Sequence, residues 1–187
     1  MGKLLDNAIL FAVRAHEGQR RKGTTIPYIL HPLEAAAIVG TMTDDDEVIA
    51  AAVLHDVVED TAATVEQVRE LFGQRVAALV ASESENKRDG LPAQDTWKLR
   101  KQETLDHLDT APTDVKMITL GDKLSNARAL YRDYTAIGDA VWQRFNQQDK
   151  REHGWYYQGI ARRLGELREY PVYAEYCELV NRLFSAR

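Results

Sequence analysis

Residues 54–60 read LHDVVED: a His-Asp pair and a Glu-Asp pair set into a run that is otherwise aliphatic from Ile49 through Val58. On a helix, at about 100° per residue, His55 stacks with Glu59 and Asp56 with Asp60, so the four ionisable groups share an arc of roughly 140°. A solvated stripe would look similar, but such stripes mix in Lys or Arg one turn away. Here three carboxylates crowd together with no cation following before Arg69. Ala50, Ala51 and Ala52 make the preceding turns apolar nearly all round, which places this helix in the protein interior. Buried carboxylates need partners, and one divalent cation satisfies several of them at once.

Around this stretch the chain punctuates itself into helices. Apolar residues recur at helical spacing over 3–17 and stop before Gly18; Pro32 opens a helix through LEAAAIVGTM; Asp44 and Asp45 cap the helix that carries the 54–60 motif. Thr64 and Gln67 form a capping box for VEQVRELF, which Gly73 ends, and QRVAALVASES continues helical. ENKRDGLPAQD reads as a polar loop, followed by helices at roughly 95–109, 113–133, 138–148, 152–168 and 172–185. TTIPYIL is strand-like, and Pro27 restricts it to a short edge piece. The expectation is an all-α fold, a single helical domain over residues 1–187.

A chain of 187 residues fits one domain and buries a substantial core. No stretch approaches the ~20 apolar residues of a membrane span, and the start of the chain has no signal-peptide core, so a cytoplasmic protein without a membrane partner is expected. The single cysteine, Cys177, is read as a small hydrophobe rather than a nucleophile. A formal charge of −5 counts against a nucleic-acid surface and against polyanionic substrates, unless cations gather locally. They do so at QRRKG (19–23), KLRKQ (98–102) and DKR (149–151), each of which also reads as ordinary surface charge.

Ligands for an ion must come from more than one element. His31, in YILHPLE, stands at a helix entrance where its ring either points inward or bonds nearby backbone. Asp122 falls on the apolar arc of Val115, Ile118 and Ala129, with Asn126 one turn on. His16 reads as structural support, His107 as surface, and His153 as either a ligand contact or packing among aromatics. His31, His55, Asp56 and Asp122 together make a mixed nitrogen and oxygen set suited to manganese, iron or zinc. Coordination would acidify a bound water, and Glu59 and Asp60 would accept its proton.

The His-Asp pair with a distant His and Asp resembles the HD superfamily of metal-dependent phosphohydrolases. More closely, AHEGQRRKG…PYILHP, AAAVLHDVVEDT, TVEQVRELFGQRVAALV and LGDKLSNARAL are similar to successive motifs of the hydrolase domain of RelA/SpoT homologues, from about residue 8 to 185. The resemblance implies an HD-domain helical bundle of the small alarmone hydrolase type, like the metazoan SpoT homologue, with no synthetase domain. It implies one Mn2+ held by His31, His55, Asp56 and Asp122, with Glu59 and Asp60 as catalytic acids. Arg21, Lys22, Asn126 and Lys150 would contact the nucleotide, and Arg100 and Lys101 lie where the family places phosphate contacts. The implied reaction releases pyrophosphate from the 3′-diphosphate of guanosine tetra- or pentaphosphate. Gly23 stands where many long members have Ser, and the connection to Pro27 differs in length, which bears on base recognition. The adenosine analogues (p)ppApp, NADPH as a 2′-phosphatase substrate, and a non-catalytic nucleotide sensor are the alternatives. The partner implied is a small nucleotide; assembly into a homo-oligomer is left open.

Overall fold

The computed structural model describes residues 3–85, 88 and 90–185. Met1 and Gly2, read above for a leader, and Asn86, Lys87 and Asp89 of the expected polar loop lie outside the described residues. The described residues form helices and contain no strand. They divide into two compact units, Met1–Ser84 with Pro112–Ser125, and Glu85–Ala111 with Asn126–Arg187.

The first unit is built around the helix that leads into the opening motif, α3 (Asp46–Leu54) if α1 (Lys3–Ala15) and α2 (Leu30–Val39) are counted before it. The Asp45 side chain caps α3 by accepting from the backbone N–H groups of Glu47 and Val48. Every residue from Ala50 to Leu54 is fully buried. The three alanines have little side chain to hold neighbours off, and α1, with Ala8 and Ala12 in the core, packs on α3 together with α2 and a later helix, α6 (Gln74–Glu83). Between them α5 (Val65–Phe72) starts at the expected capping box of Thr64 and Gln67 and ends at Gly73, whose φ of +92° suits glycine.

One local expectation in this unit is corrected. The motif does not lie on one helix: α3 ends at Leu54, His55 and Asp56 form a turn, and a single helical turn, α4 (Val57–Asp60), follows. Successive residues on a regular helix splay apart, whereas this break brings Asp56 Oδ2 within 3.1 Å of His55 Nε2. The strand-like stretch contributes an isolated antiparallel bridge between Arg20 and Pro27, which closes the QRRKG segment into a turn. Here Arg21 N–H donates to the carbonyl of Ile26.

The second unit contains α7 (Ala93–Thr110), the later part of α8 (Thr113–Ile137), α9 (Lys150–Arg163) and α10 (Pro171–Phe184), with α9 packed on both α7 and α10. The helix expected over 138–148 is a 3-10 stretch, Gly138–Arg144. The Trp142 indole N–H donates to Asp139 Oδ1, three residues back, and Val141 and Trp142 are buried with Leu130 and Leu183, so packing and a side-chain bond hold this short segment in the tighter winding. Trp142 and Tyr156 belong to the core, Phe145 and Trp155 are partly buried, and His153 is buried among Trp97, Trp142 and Phe145.

The early part of α8 approaches α2 at Gly121. A Cβ at that position would lie 2.7 Å from the carbonyl oxygen of Ala35 and 2.8 Å from a methyl of Val39. The Gly121→Ala variant should therefore lose about 1–3 kcal/mol, because a backbone carbonyl cannot rotate away. Gly159→Ala meets the methyl ends of Leu105 at 2.9 Å and should lose less, since a leucine can change rotamer. Thermal melts of the two variants check this: at about 2–4 °C per kcal/mol for a chain of this size, Gly121→Ala should melt several degrees below the native chain and below Gly159→Ala.

Candidate metal centre

His31 near the start of α2, His55 after α3 and Asp122 on α8 each offer one ligand atom, all lying within 4.8 Å of one another. Asp56 adds a fourth, with Oδ2 3.4 Å from His31 Nε2 and 3.1 Å from His55 Nε2. Asp122 Oδ1 lies 3.1 Å and 3.7 Å from the same two nitrogens. Both imidazoles and Asp122 are buried, and Asp56 is nearly so. The four residues gathered from the sequence thus meet at one point.

The far side of each ring fixes which nitrogen faces that point. Ser125 donates its hydroxyl to Glu34 Oε2 at 2.7 Å, so toward His31 it has only lone pairs, and the 2.9 Å contact requires His31 Nδ1–H to donate. His55 Nδ1 meets the carbonyl of Ala52 at 2.8 Å, and a carbonyl can only accept. Each Nε2 is therefore the atom left for the centre, and that of His55 is buried without a hydrogen-bond partner. Outer hydrogen bonds of this kind orient metal-binding histidines. The donor set, with bare imidazole nitrogens turned toward two carboxylates, fits a divalent transition metal ion.

The charges point the same way. Burial raises the Asp122 carboxyl, but Lys123 and the two imidazoles outweigh it and hold the group well below the usual carboxylate range. Asp56 is likewise raised by burial and carried well below that range by His55 and His31. Desolvation would lower His55, and the two carboxylates override it and hold the imidazole well above its ordinary value. Such a site demands positive charge, from a proton or from a metal ion, and binding the metal releases the proton.

Several neighbours were not singled out from the sequence. The Tyr28 hydroxyl donates to Asp56 Oδ2 at 2.7 Å and lies 3.1 Å from Asp60 Oδ2. Burial, then Asp56 and Asp60, push its phenol far above the ordinary value. Glu83, at the end of α6, accepts from Thr119 at 2.9 Å; burial pushes its carboxyl up to about 7 against the pull of Lys123, with Asp122 adding to the rise. A sequence signal existed for it, since Glu83 continues the buried arc of Val76 and Val80, as Asp122 continues that of Val115 and Ile118. Ser125 and Glu34 each stand three residues beyond an expected ligand, one helical turn away.

Of the remaining expected residues, Glu59 is half-buried and Asp60 exposed on α4. Arg21 is half-buried with its guanidinium 5.5 Å from the Tyr28 ring centre, and Lys22 is exposed. His16 is structural, its Nδ1 bonded to Gln19 Oε1 at 2.8 Å and its ring against Tyr28. Asn126 follows Asp122 by one turn on α8 and is half-buried. In the second unit, Arg100 and Lys101 are not loose surface charges: both are largely buried and bind the Glu85 carboxylate at 2.6 and 2.5 Å. Lys150, half-buried at the start of α9, donates to the Tyr134 hydroxyl at 2.9 Å.

Comparison with known proteins gives this geometry a context. The family model described as HD domain matches residues 8–166. The bifunctional (p)ppGpp synthase/hydrolase SpoT of Escherichia coli K12 is 39% identical over 130 residues, 68% of this chain and 18% of that protein. A GTP pyrophosphokinase rsh of Brucella melitensis is 35% identical over 127 residues. The chain spans less than a fifth of the length of these curated relatives. Among solved structures, lmo0812 of Listeria monocytogenes superposes with a TM-score of 0.72 at 34% identity, covering 86% of this chain and 97% of that one. A metazoan ortholog of SpoT that hydrolyzes ppGpp superposes with a TM-score of 0.77 at 27% identity, covering 97% and 96%. No helix among the described residues is long and apolar enough to cross a membrane. With most of its length matched by the family model and the paired histidines and aspartates converging as they do, the chain belongs to the HD-domain family.

Proposed function

We propose that residues 1–187 form one hydrolase domain, a metal-dependent 3′-pyrophosphohydrolase of alarmones of the guanosine 3′,5′-bis(diphosphate) type. The observation that carries the proposal is the convergence of His31, His55, Asp56 and Asp122, with both ring tautomers set, beside the acidic residue Asp60. The likeness to SpoT and to the metazoan ortholog supplies the substrate class. In the net reaction a water oxygen joins the phosphorus nearest the ribose, the bond from that phosphorus to the ribose 3′-oxygen breaks, and pyrophosphate leaves while the 3′-oxygen gains a proton.

The four ligands would hold one Mn2+, a choice supported by their mix of imidazole and carboxylate; other divalent transition metals satisfy the same donors. When bound, the ion supplies Lewis acidity and lowers the pKa of a water. Glu59 and Asp60 are assigned to accept the proton of the attacking water. Arg21 and Lys22 are assigned to phosphate oxygens, for which a guanidinium fork and a point charge are suited. Asn126 and Lys150 are assigned to nucleotide contact on the family likeness alone.

Purified protein incubated with Mn2+ should release pyrophosphate from ppGpp; a side-by-side panel with ppApp and NADPH reads base and bond preference, and silence on both alarmones refutes the proposal. Glu59→Ala and Asp60→Ala should each lower turnover by about 10²–10⁴-fold while Mn2+ stays bound, whereas Asp56→Ala should lose both. Calorimetric titration with Mn2+ beside the rate assay separates these outcomes. Glu83 gives a pH signature in chelator-treated protein. Its carboxyl titrates at about 7 when folded against 4.5 as its unperturbed value, so its contribution is intact below about 4.5 and is lost as pH rises toward 7. Glu83→Gln should therefore gain stability relative to the native chain between pH 5 and 7.5, by up to about 3 kcal/mol, read as diverging melting temperatures.

A further inference from the structure

The 16–29 segment is fastened to the end of α4 twice. Gln19 Nε2 donates to the backbone carbonyl of Asp60 at 2.8 Å, its amide being oriented by the bond from His16 to Oε1. The backbone N–H of Tyr28 donates to the carbonyl of Gln19 at 3.0 Å, so the tyrosine is carried by the same strap. From there its hydroxyl reaches the Oδ2 atoms of both Asp56 and Asp60. A phenol carries one hydrogen, and two carboxylate oxygens compete for it. Asp56 Oδ2 is the closer, and it is also the Asp56 oxygen that faces the two ring nitrogens, 3.4 Å from His31 Nε2 and 3.1 Å from His55 Nε2. The face of the same ring carries the Arg21 guanidinium, and its edge meets His31.

We propose that Tyr28 is a positioning residue of this site: through one hydroxyl it fixes Asp56 for the metal ion and Asp60 for the attacking water, and through its ring it holds Arg21. This rests on the alarmone hydrolase reading for its kinetic consequences and stands apart from it for its effect on metal binding. The shared proton couples the two aspartates, so that what Asp60 contributes depends on the Tyr28 hydroxyl being present. Neither acid reaches the phenol through the ring, and the two functions of the tyrosine are therefore separable by substitution.

Tyr28→Phe removes the hydroxyl and keeps the ring with its contacts to His16, His31 and Arg21. It should lower kcat for ppGpp by about 10–100-fold, the usual loss when an outer partner of a metal ligand is removed, with KM changed less than about two-fold. Mn2+ affinity should weaken in the same variant, by about 10-fold or more. Tyr28→Leu, which also removes the ring face under Arg21, should raise KM in addition. At Mn2+ concentrations that saturate both variants, so that the effect through Asp56 on metal affinity is removed, Tyr28→Phe combined with Asp60→Asn should be little slower than Asp60→Asn alone. Full multiplication of the two losses, or a Tyr28→Phe enzyme with native kcat and native Mn2+ affinity, overturns the proposal. Should the native chain turn over none of the nucleotides, the Mn2+ titrations of native and Tyr28→Phe protein still decide it: equal affinities refute the positioning role, and weakened binding sustains it while the substrate reading alone fails. Circular dichroism melts of each variant exclude unfolding as the cause.

Discussion

Two carboxylates and two imidazoles turned toward one buried point cannot coexist without positive charge among them, and the rest of the first unit is arranged around that constraint. Each isolated buried charge would cost several kcal/mol. The protein does not dilute the problem with solvent; it concentrates the acceptors and leaves Nε2 of His55 without a hydrogen-bond partner, facing oxygens of Asp56 and Asp122 at 3.1 and 3.7 Å. The second layer then removes the remaining freedom. The Ala52 carbonyl and the Ser125 hydroxyl take the outer nitrogens of the rings, Glu34 accepts from that hydroxyl, Lys123 neutralises part of Asp122, and Tyr28 takes one oxygen of Asp56.

The packing serves the same end. Asp122 meets His31 because α8 comes close to α2, and it comes close because residue 121 has no side chain. His55 is placed by a helix with no exposed residue from Ala50 onward. A ligand set drawn from two helices and a turn is thus specified by small residues at helix contacts as much as by the ligands themselves. Gly121 and the run Ala50–Ala52 carry no chemistry, yet they determine which chemistry can assemble.

Much of this was legible in the sequence because burial and polarity disagree at the relevant positions. His55, Asp56 and Asp122 interrupt apolar patterns, and a pattern interrupted by an acid is visible without a structure. The caps at Asp45 and Thr64 were legible for the same local reason. What was hidden is what depends on a turn or on the partner's identity. A break at Asp56 leaves no mark in a run whose neighbours are all good interior residues, although Asp56 and Asp60 still share a face across it, as the spacing predicts. The 3-10 winding over Gly138–Arg144 follows from Trp142 finding both a core site and Asp139, which periodicity does not encode. Arg100 and Lys101 looked like solvent charge because Glu85, which binds both, sits 15 and 16 residues earlier in a segment that reads as loop.

The uninterrupted burial of Ala50–Leu54 in α3 has a thermodynamic consequence for anything that binds at its end. Side chains on a helix enclosed on all sides have few rotamers left to surrender, and the bonds to Ala52 and Ser125 remove the ring flips as well. An incoming cation therefore meets groups whose ordering was completed during folding, and its full coordination enthalpy is expressed as affinity instead of being spent on freezing the site.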